Sequence, residues 1–439
     1  MLRKSSGILL LLLMWGQSFS QNLTRSPFSG LGVGDLQFYG FAHQQSMGRL
    51  TQGYRREDDY SITNPASYAG LKYTVYQVGA HGTFSTVESP ATTQQYNTFS
   101  LGYFSLGIPI STRLKWGGAF GLQPYSAIGY NSFTESDDNI AGSYTTRRSG
   151  SGGINRFYLG MGIQPFRPIS VGFNASYLFG QIVSTERLAF NPDSSLLDYR
   201  EDRTRFISGF NFDIGIQYQD TIARNRATRN NWVLGVGVTL HMGSDVNSTQ
   251  QLYGRTVLNY FGTEYHRDTI AFNDGVRGKI TLPQGLRAGF GLGNTGTGAR
   301  WFFGAEYFMQ QWKDFSSHGV NGNLADLQTI SAGMSFQPVF ASRGTDLRKG
   351  YLKYVVYRAG FSYSNTQFIV NNNQVDEYGI NFGLGFPVRA MRGLISTVNL
   401  GAEYNSRGSL TDNLIREKYF RLTIGLTLTD KWFDKYKYD

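Results

Sequence analysis

Polar and apolar positions alternate with period two through most of the chain. From residue 206 to 218, Phe206, Phe210, Phe212, Ile214, Ile216 and Tyr218 share one face, interrupted only by Ser208. Gly209, Asn211, Asp213, Gly215 and Gln217 share the other. Trp232, Leu234, Val236, Val238, Leu240 and Met242 repeat the pattern, as do Phe420, Leu422, Ile424, Leu426 and Leu428. Such alternation predicts strands with one apolar and one polar face. Strands of soluble sandwiches are usually about 5–6 residues long; these runs have the length that crosses a bilayer at a tilt.

Fourteen runs are predicted: 73–84, 96–108, 113–131, 154–164, 168–185, 206–219, 231–243, 285–294, 300–312, 326–338, 351–364, 376–388, 394–405 and 416–428. An even count returns both ends to one side, as bacterial barrels require. One set of connections is mostly short, with Pro109, Pro165, Pro338 and Pro387 at that end, where a missing N–H least disturbs the ladder. The other set contains long polar stretches at 132–153, 186–205 and 244–284. Short turns face the periplasm and long loops the exterior. The 244–284 stretch carries β-like pieces of its own, such as 253–261, and reads as an external hairpin; if it joins the wall the count becomes sixteen.

Composition supports an all-β transmembrane antiparallel barrel. Aromatic residues make up 15% of the 439 residues, with 28 Tyr, 32 Phe and 54 Gly, yet the mean hydropathy is −0.30. Only every second barrel residue meets lipid, so mean hydropathy stays low. Trp116, Trp232, Trp301, Trp312 and Trp432 fall near predicted strand ends, where an interfacial aromatic belt would sit. Residues 1–20 have the layout of an export leader, with Arg3 and Lys4, an apolar centre and Ser18-Phe19-Ser20. Cleavage is expected before Gln21. Losing Arg3 and Lys4 would lower the formal charge from +10 to +8. The excess is dispersed, which argues against nucleic acid as a partner. There is no cysteine, so neither a disulfide nor a lipid anchor on cysteine is available.

Enzyme signatures are weak. Gly291-Leu292-Gly293-Asn294-Thr295-Gly296 fits a dinucleotide pattern in form, but a turn and strand follow it where a helix is needed. His43, His81, His241, His266 and His318 have no metal-ligand spacing, and no G-x-S-x-G is present. The reading is a non-enzyme with no catalytic residue, cofactor or metal site. Loop acids at Glu57-Asp58-Asp59, Glu135, Asp137, Asp138, Glu201 and Asp202 are expected to be solvated, with cation bridging as the alternative. The alternation directs Lys115, Asp213, Arg287, Glu306, Glu403 and Arg421 inward, because isolated charges facing lipid are costly. These are the lumen candidates; they would pair with one another or with a plug, or else steer a solute. Inward glycines (Gly235, Gly237, Gly289, Gly291, Gly293, Gly383, Gly385) imply that something packs closely on the inner wall.

Residues 21–72 are neither strand nor helix by pattern. Ser26-Pro27-Phe28-Ser29 and Gly32-Val33-Gly34-Asp35 are turn-rich, and Ser46-Met47-Gly48-Arg49 and then Asn64-Pro65-Ala66-Ser67 follow just ahead of the first strand. This order resembles the FadL-like outer-membrane transporters, in their Bacteroidetes-type branch. Gln44-Gln45-Ser46-Met47 is more polar than the small-residue run that precedes the Gly-Arg pair in that family. The resemblance implies a leader at 1–20, a hatch or plug at 21–72 and a barrel of about 14 strands at 73–439, in the bacterial outer membrane among its lipids and lipopolysaccharide. It implies passive uptake of a small hydrophobic compound, such as a long-chain fatty acid, past the hatch. The branch also includes barrels recruited as non-transporting subunits of secretion or assembly complexes, so the partner is a hydrophobic ligand or other outer-membrane subunits.

Overall fold

The computed structural model describes residues 24–432 except 39, 91, 140–141, 191–195, 226–229, 261–262, 297, 342–344, 349, 390–393 and 412–414. The expected leader lies outside the described residues. The strands in chain order are β1 (Asp35–Leu36), β2 (Thr74–Glu88), β3 (Thr93–Ser111), β4 (Trp116–Asp138), β5 (Gly142–Phe166), β6 (Ile169–Phe190), β7 (Asp198–Asn225), β8 (Asn230–His241), β9 (Ser244–Tyr260) and β10 (Thr263–Leu282). They continue with β11 (Gly285–Asn294), β12 (Arg300–Gln310), β13 (Ser316–Ser317), β14 (Val320–Asn321), β15 (Leu327–Gln337), β16 (Val356–Val370), β17 (Asn373–Arg389), β18 (Ile395–Arg407) and β19 (Arg416–Asp430).

Fourteen strands close the wall. β2 to β8 follow in sequence, β8 pairs with β11, and the ring runs on through β12 and β15 to β19, which pairs back onto β2. Closure pairs the last strand with the first, so apart from the upper β3–β4 seam the ladders are paired, the condition for crossing lipid without helices. Phe382 and Ile424 are more than half exposed on the outside, while Asn381 and Thr423 beside them are buried inside. The outward face is therefore apolar and the inward face polar, as the alternation predicts. No described helix is long and apolar enough to cross a membrane.

Several boundaries differ from expectation. The stretches 132–153 and 186–205, read as loops, are largely strand: β4 reaches Asp138, β5 starts at Gly142, and β6 and β7 pair up to Leu188 and Tyr199. β7 has 28 residues, against the roughly 9–11 that cross a bilayer. Above the lipid both faces of this taller wall meet polar surroundings, so the ladder continues without the apolar alternation that marks the spanning part. β9 and β10 form a hairpin outside the ring; β9 joins the upper half of β7, from Asp198–Val257 to Ser208–Asn247. Trp312 is not an interfacial residue. It lies in a short 3-10 turn, Trp312–Asp314, and is fully buried among Val33, Ile128, Ile207, Val246 and Leu324. This apolar cluster closes the external end of the lumen. Trp116, Trp232, Trp301 and Trp432 gather at the opposite end, where the spanning strands start and finish.

Candidate functional site

The barrel encloses a lumen, and described residues of the N-terminal segment pack against its inner wall. Phe28, Phe41, Met47, Tyr60, Ile62, Tyr68 and Asn64 are all buried. A single helical turn, Ala42–Gln45, is followed by left-handed backbone at Gly48 (φ 69°) and Arg49 (φ 68°). A Cβ on Gly48 would fall on the Ala332 and Phe361 carbonyls, so glycine is required there both for backbone sign and for space.

Asn64-Pro65-Ala66-Ser67 starts a 3-10 helix, Pro65–Gly70. The Asn64 side chain accepts from the Ala66 N–H at 3.1 Å, an N-cap, and Pro65 takes the first turn, where no N–H is missed. Asn64 Nδ2 also donates to Gln52 Oε1 at 2.8 Å and to the Ile216 carbonyl at 3.3 Å. Ser67 Oγ donates to the Ser61 carbonyl at 3.1 Å and accepts from the Ser61 N–H at 2.9 Å. The quartet thus ties its own turn, a second loop and strand β7 together.

The inner wall meets this segment through its glycines. A Cβ on Gly117, Gly172, Gly215, Gly235, Gly333, Gly360 or Gly383 would collide with Tyr68, Pro65, Asn64, Gly53, Met47, Gly48 or Ser46, respectively. Of the seven glycines singled out from sequence, Gly235, Gly237, Gly291 and Gly383 face the segment; Gly289, Gly293 and Gly385 face neighbouring wall side chains instead.

Charged residues fix the register. Glu403 accepts from Arg49 at 2.6 Å and from Gln45 Nε2 at 2.8 Å, with Arg421 3.9 Å away. Four strands away around the ring, Glu306 on β12 holds Arg287 at 2.6 Å and accepts from the Thr51 and Gln52 N–H groups at 2.8 and 3.0 Å. Asp213 accepts from His241 Nδ1 at 2.7 Å and pairs with the guanidinium of Arg156, a buried residue that the sequence reading missed. Arg407, also missed, bonds Asp35 at 2.8 Å and Glu417 at 2.7 Å. Lys115 is not on the wall. It lies in the β3–β4 turn with φ 48°, at the rim of the cavity below.

Three larger spaces remain among the described residues. One, about 140 Å³, lies on the external side of the segment; Arg49, Arg156, Arg287, Arg407 and Arg421 line it together with Asp35, Asp213 and Glu377. A second, about 370 Å³, is bounded by Arg25, Tyr96, Tyr130, Asn131, Ser149 and Thr185. The third, about 910 Å³, is the mouth at the end with the short turns. The wall also parts at one seam. β3 pairs with β4 only between Phe104–Leu122 and Ser111–Trp116; above that, β4 takes Asp35 and Leu36 of β1 as its partner. Among the described residues no group of three or more His, Cys, Asp or Glu is placed to hold a metal.

The profile of the BamG family matches residues 1–439, the whole chain. The chain belongs to the BamG family. A search of curated proteins finds no match. Solved structures share the fold of this BamG-family barrel. A FadL homologue of Pseudomonas aeruginosa aligns over 92% of this chain and 99% of its own at 12% identity and a TM-score of 0.55. The toluene transporter TbuX of Ralstonia pickettii aligns over 90% and 99% at 11% identity and a TM-score of 0.54. The toluene transporter TodX of Pseudomonas putida aligns over 91% and 100% at 15% identity and a TM-score of 0.51. At these identities the likeness concerns architecture: the BamG-family chain has the FadL-type outer-membrane barrel.

Proposed function

We propose that residues 24–72 are a fixed plug and that the protein is a non-conducting structural or docking subunit of an outer-membrane complex. The observation that carries this is a lock at two separate places on the wall, four strands apart around the ring. Glu403 on β18 holds Arg49 and Gln45, while Glu306 on β12 holds the Thr51 and Gln52 amides. Truncating one partner of a buried ion pair costs about 3–5 kcal/mol, so displacing the plug for each passing solute would be slow. The space directly against it, about 140 Å³, has five arginines in its lining and is smaller than the roughly 300–1,000 Å³ of ordinary, mostly apolar ligand sites; the second, about 370 Å³, is bounded by Arg25, Tyr96, Tyr130, Asn131, Ser149 and Thr185. The tall wall and its hairpin supply surface beyond the lipid for a partner protein to cover. Solubilisation in mild detergent and affinity purification of the full chain should bring stoichiometric partner proteins. A clean monomer under those conditions overturns the reading.

A second reading is passive uptake of a hydrophobic compound. It is favoured by the shared architecture with barrels named as toluene transporters and by the seam between β3 and β4, a sideways exit. Binding of a long-chain fatty acid or toluene by the purified barrel supports it; no binding of either removes it.

A further inference from the structure

The mouth of the lumen is chemically unlike its middle. Six cations line the 910 Å³ cavity there, Arg55, Arg56, Lys115, Arg167, Arg224 and Arg300, against the carboxylates of Glu57, Asp58 and Asp220. Two of those carboxylates are taken: Asp58 holds Arg56 at 3.0 Å, and Glu57 pairs with Lys72. Among the described residues no carboxylate lies within ion-pair distance of Arg55, Lys115, Arg167, Arg224 or Arg300. Arg55 donates to Gln219 Oε1 and Ser170 Oγ, both at 2.7 Å. Arg300 donates to the Gly296 carbonyl at 2.8 Å and stacks on the Phe340 ring. Burial without a counter-charge pulls the Arg55 guanidinium down to about 10, still charged at neutral pH.

We propose that this mouth is a docking site for an acidic, extended segment of a periplasmic protein. The cavity opens at the end that carries the short turns, which faces the periplasm. Its floor is the plug at Gly53–Asp58 and its walls are inward-facing positions such as Gly235 and Gly291, so a chain can enter where a bilayer surface cannot. Guanidinium groups pair bidentately with carboxylates, and Trp301 and Phe302 supply an apolar flank. The proposal rests on the docking reading above and adds the chemistry of the partner and the place it binds.

The test uses the full-length barrel in nanodiscs and a fluorescent Asp/Glu decapeptide as probe. Saturable binding that weakens with salt is expected, with no binding of a Lys/Arg decapeptide. The double variant Arg167→Glu/Arg224→Glu should raise the decapeptide Kd at least tenfold. Arg147→Glu, on the external strand β5, should leave it unchanged. Equal affinity in the double variant overturns the proposal, as does complete displacement of the peptide by equimolar inorganic phosphate. The same double variant separates this inference from the docking reading. If partners co-purify with the native chain and equally with the double variant, the mouth is not the site while docking stands. If none co-purify with either, the docking reading fails, and the peptide titration still decides the chemistry of the mouth.

Discussion

At the middle of the lumen Glu403 holds Arg49 and Glu306 holds Arg287, each at 2.6 Å, and Asp213 pairs with Arg156. At the mouth, Arg55 and Arg300 have only amide, hydroxyl and carbonyl oxygens. The same residue type is neutralised in one place and left open a short distance away. The middle is packed, so an unmatched charge there would be dehydrated and costly. The mouth is a wide cavity open at one end, where a cation stays within reach of an incoming partner, even Arg55, whose guanidinium burial has partly desolvated. Around Glu403 and Glu306 matched charge accompanies what is packed, and at the mouth unmatched charge accompanies what is left open.

Removing a matched charge should have the largest effect. Glu306→Ala strands Arg287 and two plug amides, so it should weaken local closure by about 3–5 kcal/mol. Hydrogen exchange of amides around Thr51 should then speed by roughly a hundred- to ten-thousand-fold; unchanged exchange would mean the plug is held otherwise. Gly360→Val drives side-chain atoms into Gly48 and should cost about 1–3 kcal/mol as an overpacked contact, visible as protease cleavage within 42–72. Asn64→Ala removes the N-cap and should cost about 1 kcal/mol, with exchange faster at Ala66 and little altered at Thr51. Lys72→Ala breaks an exposed pair with Glu57 and should change exchange by less than about 0.5 kcal/mol. If Lys72→Ala matches Glu306→Ala, burial is not what separates the two regions.

The spanning wall was legible because lipid imposes a period of two: the run 285–294 coincides with β11, and the 244–284 stretch folds as the external hairpin its internal β pattern implied. The taller part of β4 to β7 was not legible, since no lipid writes an apolar face on it. Wall glycines such as Gly235 and Gly383 pointed to a close neighbour but not to which one. Glu306 and Glu403 could be placed inward by parity alone, whereas their partners lie 255 and 354 residues away, beyond any local pattern. Arg156 was readable in principle, because it shares parity with the inward Gly160 and Gly162 and a lone inward cation needs an acid. Arg407 fell past the predicted strand end at 405. The polar Gln44 and Gln45, unlike the family's small-residue run, are explained by their bonds: Gln44 closes the helical turn onto Phe41 and reaches the Tyr60 carbonyl, and Gln45 reaches Glu403. The unpaired mouth was invisible in sequence, because its cations come from the N-terminal segment, two inter-strand turns, the end of β7 and the start of β12, which only the closed barrel brings together.

The plug itself is tested most directly by conductance in planar bilayers. Purified native protein should show no sustained channel current, while the chain lacking residues 24–72, refolded to the same strand content, should conduct steadily, with Pro65→Gly in between. A native protein that conducts as well as the deletion would contradict the account.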